Sequence, residues 1–383
     1  MVQFFEPVSN GITQIRIILP RGGGIHFPAP IPYLATLILN RYGTKREGEK
    51  FYSRLEERAI QLSFNLQREY LQIKISALDG EIKKGLELLK ELLTSPNLTE
   101  ESLKKGVEEL REIRKKKREN KDWVAGTLLF KAMFPDTPLQ TPLIGEGGEV
   151  TLSQLQDYFK TGIARGGEVV LIVGKRVDVE LDYLPLLSSP SYPHFVPKQG
   201  QLVEKMESEQ AYIHFGAPYH HPFEESHLRK LAIQILGAGG FGSRLMEEIR
   251  VKRGWAYSAY CYTTITKFYS IFRGYLQTKL ENQREAVRLL EKIVAHFVEK
   301  GVTEKELAQA KKFLIGSEPL RKETPLQRLE RRFAEYWFGL GNNFFEEEMK
   351  KIESTTLEEL NRYISSHSEI LQLSYGIVSP NFS

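Results

Sequence analysis

Tyr70-Leu71-Gln72, then residues 81–93 (EIKKGLELLKELL), then Thr99-Glu100-Glu101-Ser102-Leu103: this order returns as Tyr275-Leu276-Gln277, residues 284–298 (REAVRLLEKIVAHFV) and Thr303-Glu304-Lys305-Glu306-Leu307. The offset is 205 residues at the first block and 204 at the last, so little but loop length has drifted between two copies of one unit. Both middle blocks carry apolar residues at helical spacing, and Thr99 and Thr303 stand where an N-cap hydroxyl accepts from the first turn. Upstream, Ser53-Arg54-Leu55-Glu56-Glu57 faces Ser243-Arg244-Leu245-Met246-Glu247. From that block to Tyr-Leu-Gln the interval is 17 residues in the first copy and 32 in the second. The second copy therefore carries about 15 extra residues, Arg250 and Tyr257 among them.

Between the copies, residues 184–200 (LPLLSSPSYPHFVPKQG) are rich in Pro and Ser and lack a helical period, which reads as a linker. Each half runs strands, helix, strands, long helices and a closing strand, residues 167–173 (GEVVLIV) in one and 371–378 (LQLSYGIV) in the other. Strands adjacent in sequence without a crossover helix favour antiparallel pairing, with helices on one face. The expected architecture is α+β: two tandem homologous domains, residues 1–190 and 205–383, each a mainly antiparallel sheet with helices packed on one face.

At 383 residues and 41% hydrophobic content, the chain has enough apolar sequence for a sizeable core in each domain. The 53 Lys and Arg nearly balance 49 Asp and Glu. The basic run Lys115-Lys116-Lys117-Arg118 lies among acidic residues on an expected solvated helix, with no aromatic-interleaved basic strand, which argues against a nucleic-acid partner. A single cysteine, Cys261, excludes an intramolecular disulfide framework and a thiolate metal cluster. No run of about 18 apolar residues occurs, so no membrane span is expected. Residues 1–6 (MVQFFE) lack the basic start and apolar stretch of a secretory signal, so the compartment stays open: a cytoplasmic chain is expected as the sequence stands, a periplasmic one if a signal has been removed.

Residues 235–245 (ILGAGGFGSRL), followed by Glu248-Ile249-Arg250-Val251-Lys252-Arg253-Gly254-Trp255-Ala256-Tyr257, resemble the second-domain signature of the insulinase, pitrilysin and mitochondrial-processing-peptidase family. In the first half, residues 134–139 (FPDTPL) and 142–145 (PLIG) are similar to that family's loop before a strand ending at Val173-Gly174. The resemblance covers most of the chain. Active members carry an inverted zinc motif, H-x-x-E-H, whose two His bind the metal and whose Glu activates water. Here the equivalent helix reads as residues 32–42, fixed by Gly43-Thr44, and Leu34, Leu37 and Ile38 stand where His, Glu and His would. Those side chains offer no lone pair to zinc and no carboxylate to water. The family's downstream acidic ligand would fall in the helix around residues 106–118, where Glu108, Glu109 and Glu112 are available beside the basic run. The resemblance implies a chain with no metal or cofactor of its own, inactive alone.

Other chemistry is less well supported. In His220-His221-Pro222-Phe223-Glu224-Glu225-Ser226-His227, the five residues from His221 imitate the start of the zinc motif but end in Glu. Pro222 favours a loop or first turn over a helix interior that would align ligands, so a solvated loop entering a helix at residues 225–236 is expected. Neither Gly22-Gly23-Gly24 nor the glycines from Gly237 to Gly242 have the order of a phosphate cradle, and Cys261 has no His near it in sequence.

In the family, an Arg and a Tyr seven residues apart in the second domain reach the zinc site of the first, and this chain matches at Arg250 and Tyr257. Alone, the two would read as an Arg paired with Glu247 or Glu248 and an ordinary strand aromatic; the surrounding signature turns the reading to function. Arg250 ends a helix, Arg253-Gly254 turns the chain, and residues 255–260 (WAYSAY) alternate as a strand, so both side chains can converge on one cavity. The resemblance implies that Arg250 and Tyr257 are catalytic and substrate-binding residues, gripping the carbonyl of a peptide or unfolded polypeptide and stabilising its oxyanion. They would serve in trans, in a heterodimer whose homologous H-x-x-E-H subunit holds the zinc. The alternative is a structural or assembly subunit built on the same peptidase fold.

Overall fold

The computed structural model describes residues 1–240 and 242–382; Phe241 of the Gly-rich signature and Ser383, last residue of the second expected domain, lie outside the described residues. The first half runs β1 (Val2–Pro7), β2 (Ile12–Leu19), α1 (Ile31–Arg41), α2 (Lys50–Glu56), β3 (Gln61–Leu66), β4 (Leu71–Leu78), α3 (Ile82–Thr94), α4 (Glu100–Glu119), α5 (Lys121–Met133), α6 (Leu152–Thr161) and β5 (Val169–Gly174). The second runs β6 (Gln201–Glu204), β7 (Gln210–Pro218), α7 (Ser226–Ile233), β8 (Ala256–Ile265), β9 (Ser270–Lys279), α8 (Gln283–Lys300), α9 (Glu304–Ser317), α10 (Pro325–Trp337), α11 (Phe344–Ser354), α12 (Leu357–Ser366) and β10 (Ser374–Val378).

The strands form two five-stranded sheets of identical topology, β1-β5-β2-β4-β3 and β6-β10-β7-β9-β8. Each is antiparallel except for its first pair, β1 with β5 and β6 with β10. The fold is α+β, with the repeated Leu-Gln lying in β4 and in β9, the strand next to the edge in each sheet. Other repeated residues do matching work. Thr303 caps α9 with a reciprocal Glu306 bond, and the Thr99 hydroxyl accepts from the Ser102 amide at the start of α4. In the Ser-Arg-Leu blocks, Arg54 grips Glu91 through two bonds of 2.9 and 3.0 Å, and Arg244 grips Glu306 through two of 2.6 and 2.9 Å.

Two compact units result, and each draws on both halves of the sequence. The first comprises Met1–Lys116, Thr141–Tyr192 and Lys322–Trp337; the second comprises Lys117–Gln140, Pro193–Arg321 and Phe338–Ser383. Within the first, α10 sets Tyr336 and Trp337 edge-on against Phe4 and Tyr70, with ring centroids 5.9 and 5.3 Å apart. Within the second, alternation along the strands separates two faces. Ile213, Phe215, Leu276, Ala259 and Ile377 join Leu231 of α7, Leu290 of α8 and Leu360 of α12 in one apolar core. The intervening residues meet α5 on the opposite face. There a Cβ on Gly376 would lie 2.2 Å from the Ala125 carbonyl oxygen and the Leu129 nitrogen, so only glycine admits the helix backbone. The helices expected on one face are present, and α5 adds a helix to the other.

Candidate functional site

On α1, Leu34 and Ile38 are fully buried and Leu37 nearly so. The helix approaches α4 at Gly106, where a Cβ would stand 2.9 Å from Leu34 Cδ1 and 3.3 Å from Ile38 Cγ1. The positions a zinc motif would occupy are thus filled by apolar packing, and these residues do not fit a zinc ion. Of the three downstream carboxylates, Glu108 and Glu112 are exposed. Glu109 is half-buried, accepts from the Tyr42 hydroxyl at 3.2 Å and lies 3.5 Å from Arg41 Nε. Burial, then the Glu109 carboxylate, pushes the Tyr42 hydroxyl up to about 12. Glu109 is engaged with the end of α1 instead of a metal. Among the described residues, no group of three or more His, Cys, Asp and Glu is placed to hold one.

The extra segment of the second repeat builds the Arg250–Tyr257 corner. After α7 the helix widens into π-helical turns at Gln234–Ala238, and Met246–Val251 is π-helical again. A Cβ on Gly237 would come 2.5 Å from Cys261 Sγ, so glycine lets this helix lie against β8. Gly254, at a φ of +65°, then turns the chain, its amide donating to the Arg250 carbonyl at 2.9 Å. Glu248 is bound by Lys252 at 2.5 Å and Arg253 at 2.9 Å, and the Lys252 hydrogen bond leads in holding its carboxyl below the usual range. Tyr257 falls in a β-bulge: Ala256 pairs with Thr278 and Ser258 with Gln277, leaving Tyr257 the unpaired extra residue. It is 76% exposed, and the Arg250 guanidinium carbon stands 5.1 Å from its ring centroid. The two side chains meet.

The His220–His227 segment is a loop entering a helix, with His220, Pro222 and Glu224 exposed, but His221 and His227 are not solvated. The ring nitrogens of His221 are both buried without a partner, and its pKa falls to about 3 through burial, then the charges of Arg229 and His367. His227 lies 3.6 Å from Glu359, while Ser226 and Lys230 both donate to Glu348. Nearby, Tyr219 bonds Tyr363 at 2.7 Å, and His367 stacks on Tyr219 and bonds Glu369 at 2.7 Å. The segment enters a buried polar network whose other members come from the end of β7, from α11, and from α12 and the residues after it.

The relatives agree with this architecture. Residues 33–147 match the insulinase family (peptidase family M16), and residues 149–314 match the peptidase M16 inactive domain. The non-peptidase homolog YmxG of Helicobacter pylori is 37% identical over 89% of this chain and 82% of its own length. This chain belongs to the M16 insulinase family. A second relative, the uncharacterized zinc protease YmxG of Bacillus subtilis, is 22% identical over 77% of this chain and 75% of its own. In fold, a peptidase M16 inactive domain from Pseudomonas fluorescens superimposes with a TM-score of 0.88 at 21% identity, covering 100% of this chain and 96% of that one. A chain of complex III2 from Candida albicans does so with 0.78 at 12%, covering 99% and 93%. Within the M16 family this is a peptidase-derived chain. No described helix is long and apolar enough to cross a membrane.

Reading the sequence by M16 motifs passes over one cluster of the second unit. His214 on β7 bonds Asp122 of α5 at 2.8 Å, next to Tyr275, Tyr260, Tyr262 and Arg273 of β8 and β9. The signal was the period-two run Arg273-x-Tyr275-x-Gln277, which marks a polar sheet face.

Proposed function

We propose that this chain is the non-catalytic subunit of a two-chain M16 zinc peptidase, offering Arg250 and Tyr257 to the metal site of a homologous H-x-x-E-H subunit. One observation carries the reading: an Arg and an exposed Tyr converge to 5.1 Å at a bulged strand start, in a chain whose own zinc positions are sealed by leucine and isoleucine. A guanidinium and a phenol offer N–H and O–H donors for the oxygen of a scissile carbonyl, and such donors act most strongly on the oxyanion that forms when water attacks. The zinc and the water-activating carboxylate belong to the partner. The substrate is a peptide or unfolded polypeptide. The description of the Helicobacter relative as a non-peptidase homolog supports a chain that does not cleave by itself.

The test is peptide hydrolysis by a purified H-x-x-E-H chain, with and without this one. Expected is strong activation on mixing, with Arg250→Ala lowering kcat of the pair by about 10²-fold and Tyr257→Phe by about tenfold. A partner that cleaves equally well alone, or variants that leave the pair fully active, would assign the chain to assembly instead of proteolysis.

A further inference from the structure

In the second unit, α5 covers only part of its sheet face. It lies over β6, β10 and β7, with Gly376 and Gly216 beneath it. On the same face β9 and β8 carry Arg273, Tyr275, Tyr260 and Tyr262, paired across the strands as Tyr275 with Tyr260 and Arg273 with Tyr262. The rings form a continuous shelf: Tyr275 is 5.0 Å from His214 and 5.6 Å from Tyr260, which lies 6.1 Å from Tyr262 and nearly parallel to it. Tyr260 is 40% and Tyr262 36% exposed. The result is a trough with α5 as one wall, β9 as its floor and two tyrosines as the other wall.

Arg273 lies on that floor. Its guanidinium carbon is 5.3 Å from the ring of Phe130 on α5 and 5.1 Å from the ring of Tyr262 on β8, so cation–π contact with both walls fixes its direction. Its Nε is buried without a hydrogen-bond partner, and among the described residues the guanidinium makes no hydrogen bond or ion pair. Asp122 feels its charge, but that carboxylate is bonded to His214 at 2.8 Å. A guanidinium is a planar fork of donors matched to two oxygens, and leaving its buried Nε donor unmatched is costly. The arrangement has the form of half an Arg–carboxylate pair.

We propose that Arg273 is the anchor of a carboxylate-binding site, taking a peptide whose carboxylate docks on the fork while an apolar or aromatic side chain lies on Tyr260 and Tyr262. The carboxylate is either a chain terminus or an Asp or Glu side chain. The site uses none of the residues assigned to the trans role and stands without it.

The test is fluorescence anisotropy on the full chain with three dye-labelled peptides: Gly-Phe-Phe as free acid, Gly-Phe-Phe as amide, and Gly-Phe-Glu-Phe as amide. Expected is a carboxylate-bearing peptide binding at least about tenfold tighter than Gly-Phe-Phe amide. A preference confined to the free acid identifies the terminus; one shared by the Glu peptide identifies the side chain. Arg273→Gln should erase the preference, and Arg273→Lys should retain part of it. Equal binding of acid and amide peptides to the wild type, or no binding at all, overturns the proposal without recourse to a variant. So does a folded Arg273→Gln protein that keeps the preference.

Discussion

Leu34 has no exposed surface and rests on the hole left by Gly106, so a histidine returned to that position would arrive without water and without a partner. Leu34→His is expected to destabilise the fold by roughly 3–5 kcal/mol, combining lost apolar contact with an unsatisfied ring. Urea unfolding measures it; a wild-type midpoint would mean that the position is not sealed. His221 makes the opposite case, a histidine already buried without a partner. Burial first, then Arg229 and His367, with Glu369 bonded to His367, bring its pKa from 6.5 to about 3. Between those values the unfolded chain binds a proton that the folded chain does not. The contribution of a neutral His221 is therefore complete above about pH 6.5 and is lost toward pH 3, by about 1.4 kcal/mol per pH unit. His221→Gln should flatten the acid limb of the stability profile by that slope, and superimposable limbs for the two proteins would refute the assignment.

At the level of elements, α5 is held by backbone proximity as much as by its side chains. Gly376→Ala would place a methyl 2.2 Å from two backbone atoms of α5, which cannot yield as a side chain would. The expected cost is on the order of 3 kcal/mol, with faster amide exchange concentrated in α5 and β10; uniform exchange across the second unit would sink the argument. Legibility followed the range of each interaction. The two sheets were legible because strand pairs adjacent in sequence, with no crossover helix between them, recur in the same order in both halves. The burial of Leu34, Leu37 and Ile38 was legible because they recur at helical spacing along one apolar stretch before Gly43-Thr44. The face of α5 was not: Val124, Ala125, Leu129 and Met133 have helical spacing, but nothing local says which sheet they cover. Nor was the Tyr257 bulge, which exists only in the pairing of β8 with Thr278 and Gln277. His221 does lie in a loop, but its burial was not legible, because the charged groups nearest it, Arg229 and His367, come from other segments of the chain.

The whole chain is organised by an exchange that a linear division hides. We propose the linker between residues 190 and 205 as the seam of a duplication, with 1–190 and 205–383 as its two halves, yet neither half contains all of a compact unit. Lys117–Gln140, with α5, belongs to the second unit, and Lys322–Trp337, with α10, to the first. A fragment of residues 1–190 therefore carries α5 without its sheet and leaves Phe4 and Tyr70 without Tyr336 and Trp337. A fragment of residues 191–383 leaves Val378 without Val124 and Ala125. Each fragment expressed alone should aggregate or bind a hydrophobic dye, because uncovered apolar surface on a sheet is an association hazard. Co-expressed, the two should purify as one stoichiometric complex that unfolds cooperatively, since each supplies the helix the other's sheet requires. A fragment that is monomeric and cooperatively folded alone would show that the exchanged helices only decorate the two sheets and do not complete them.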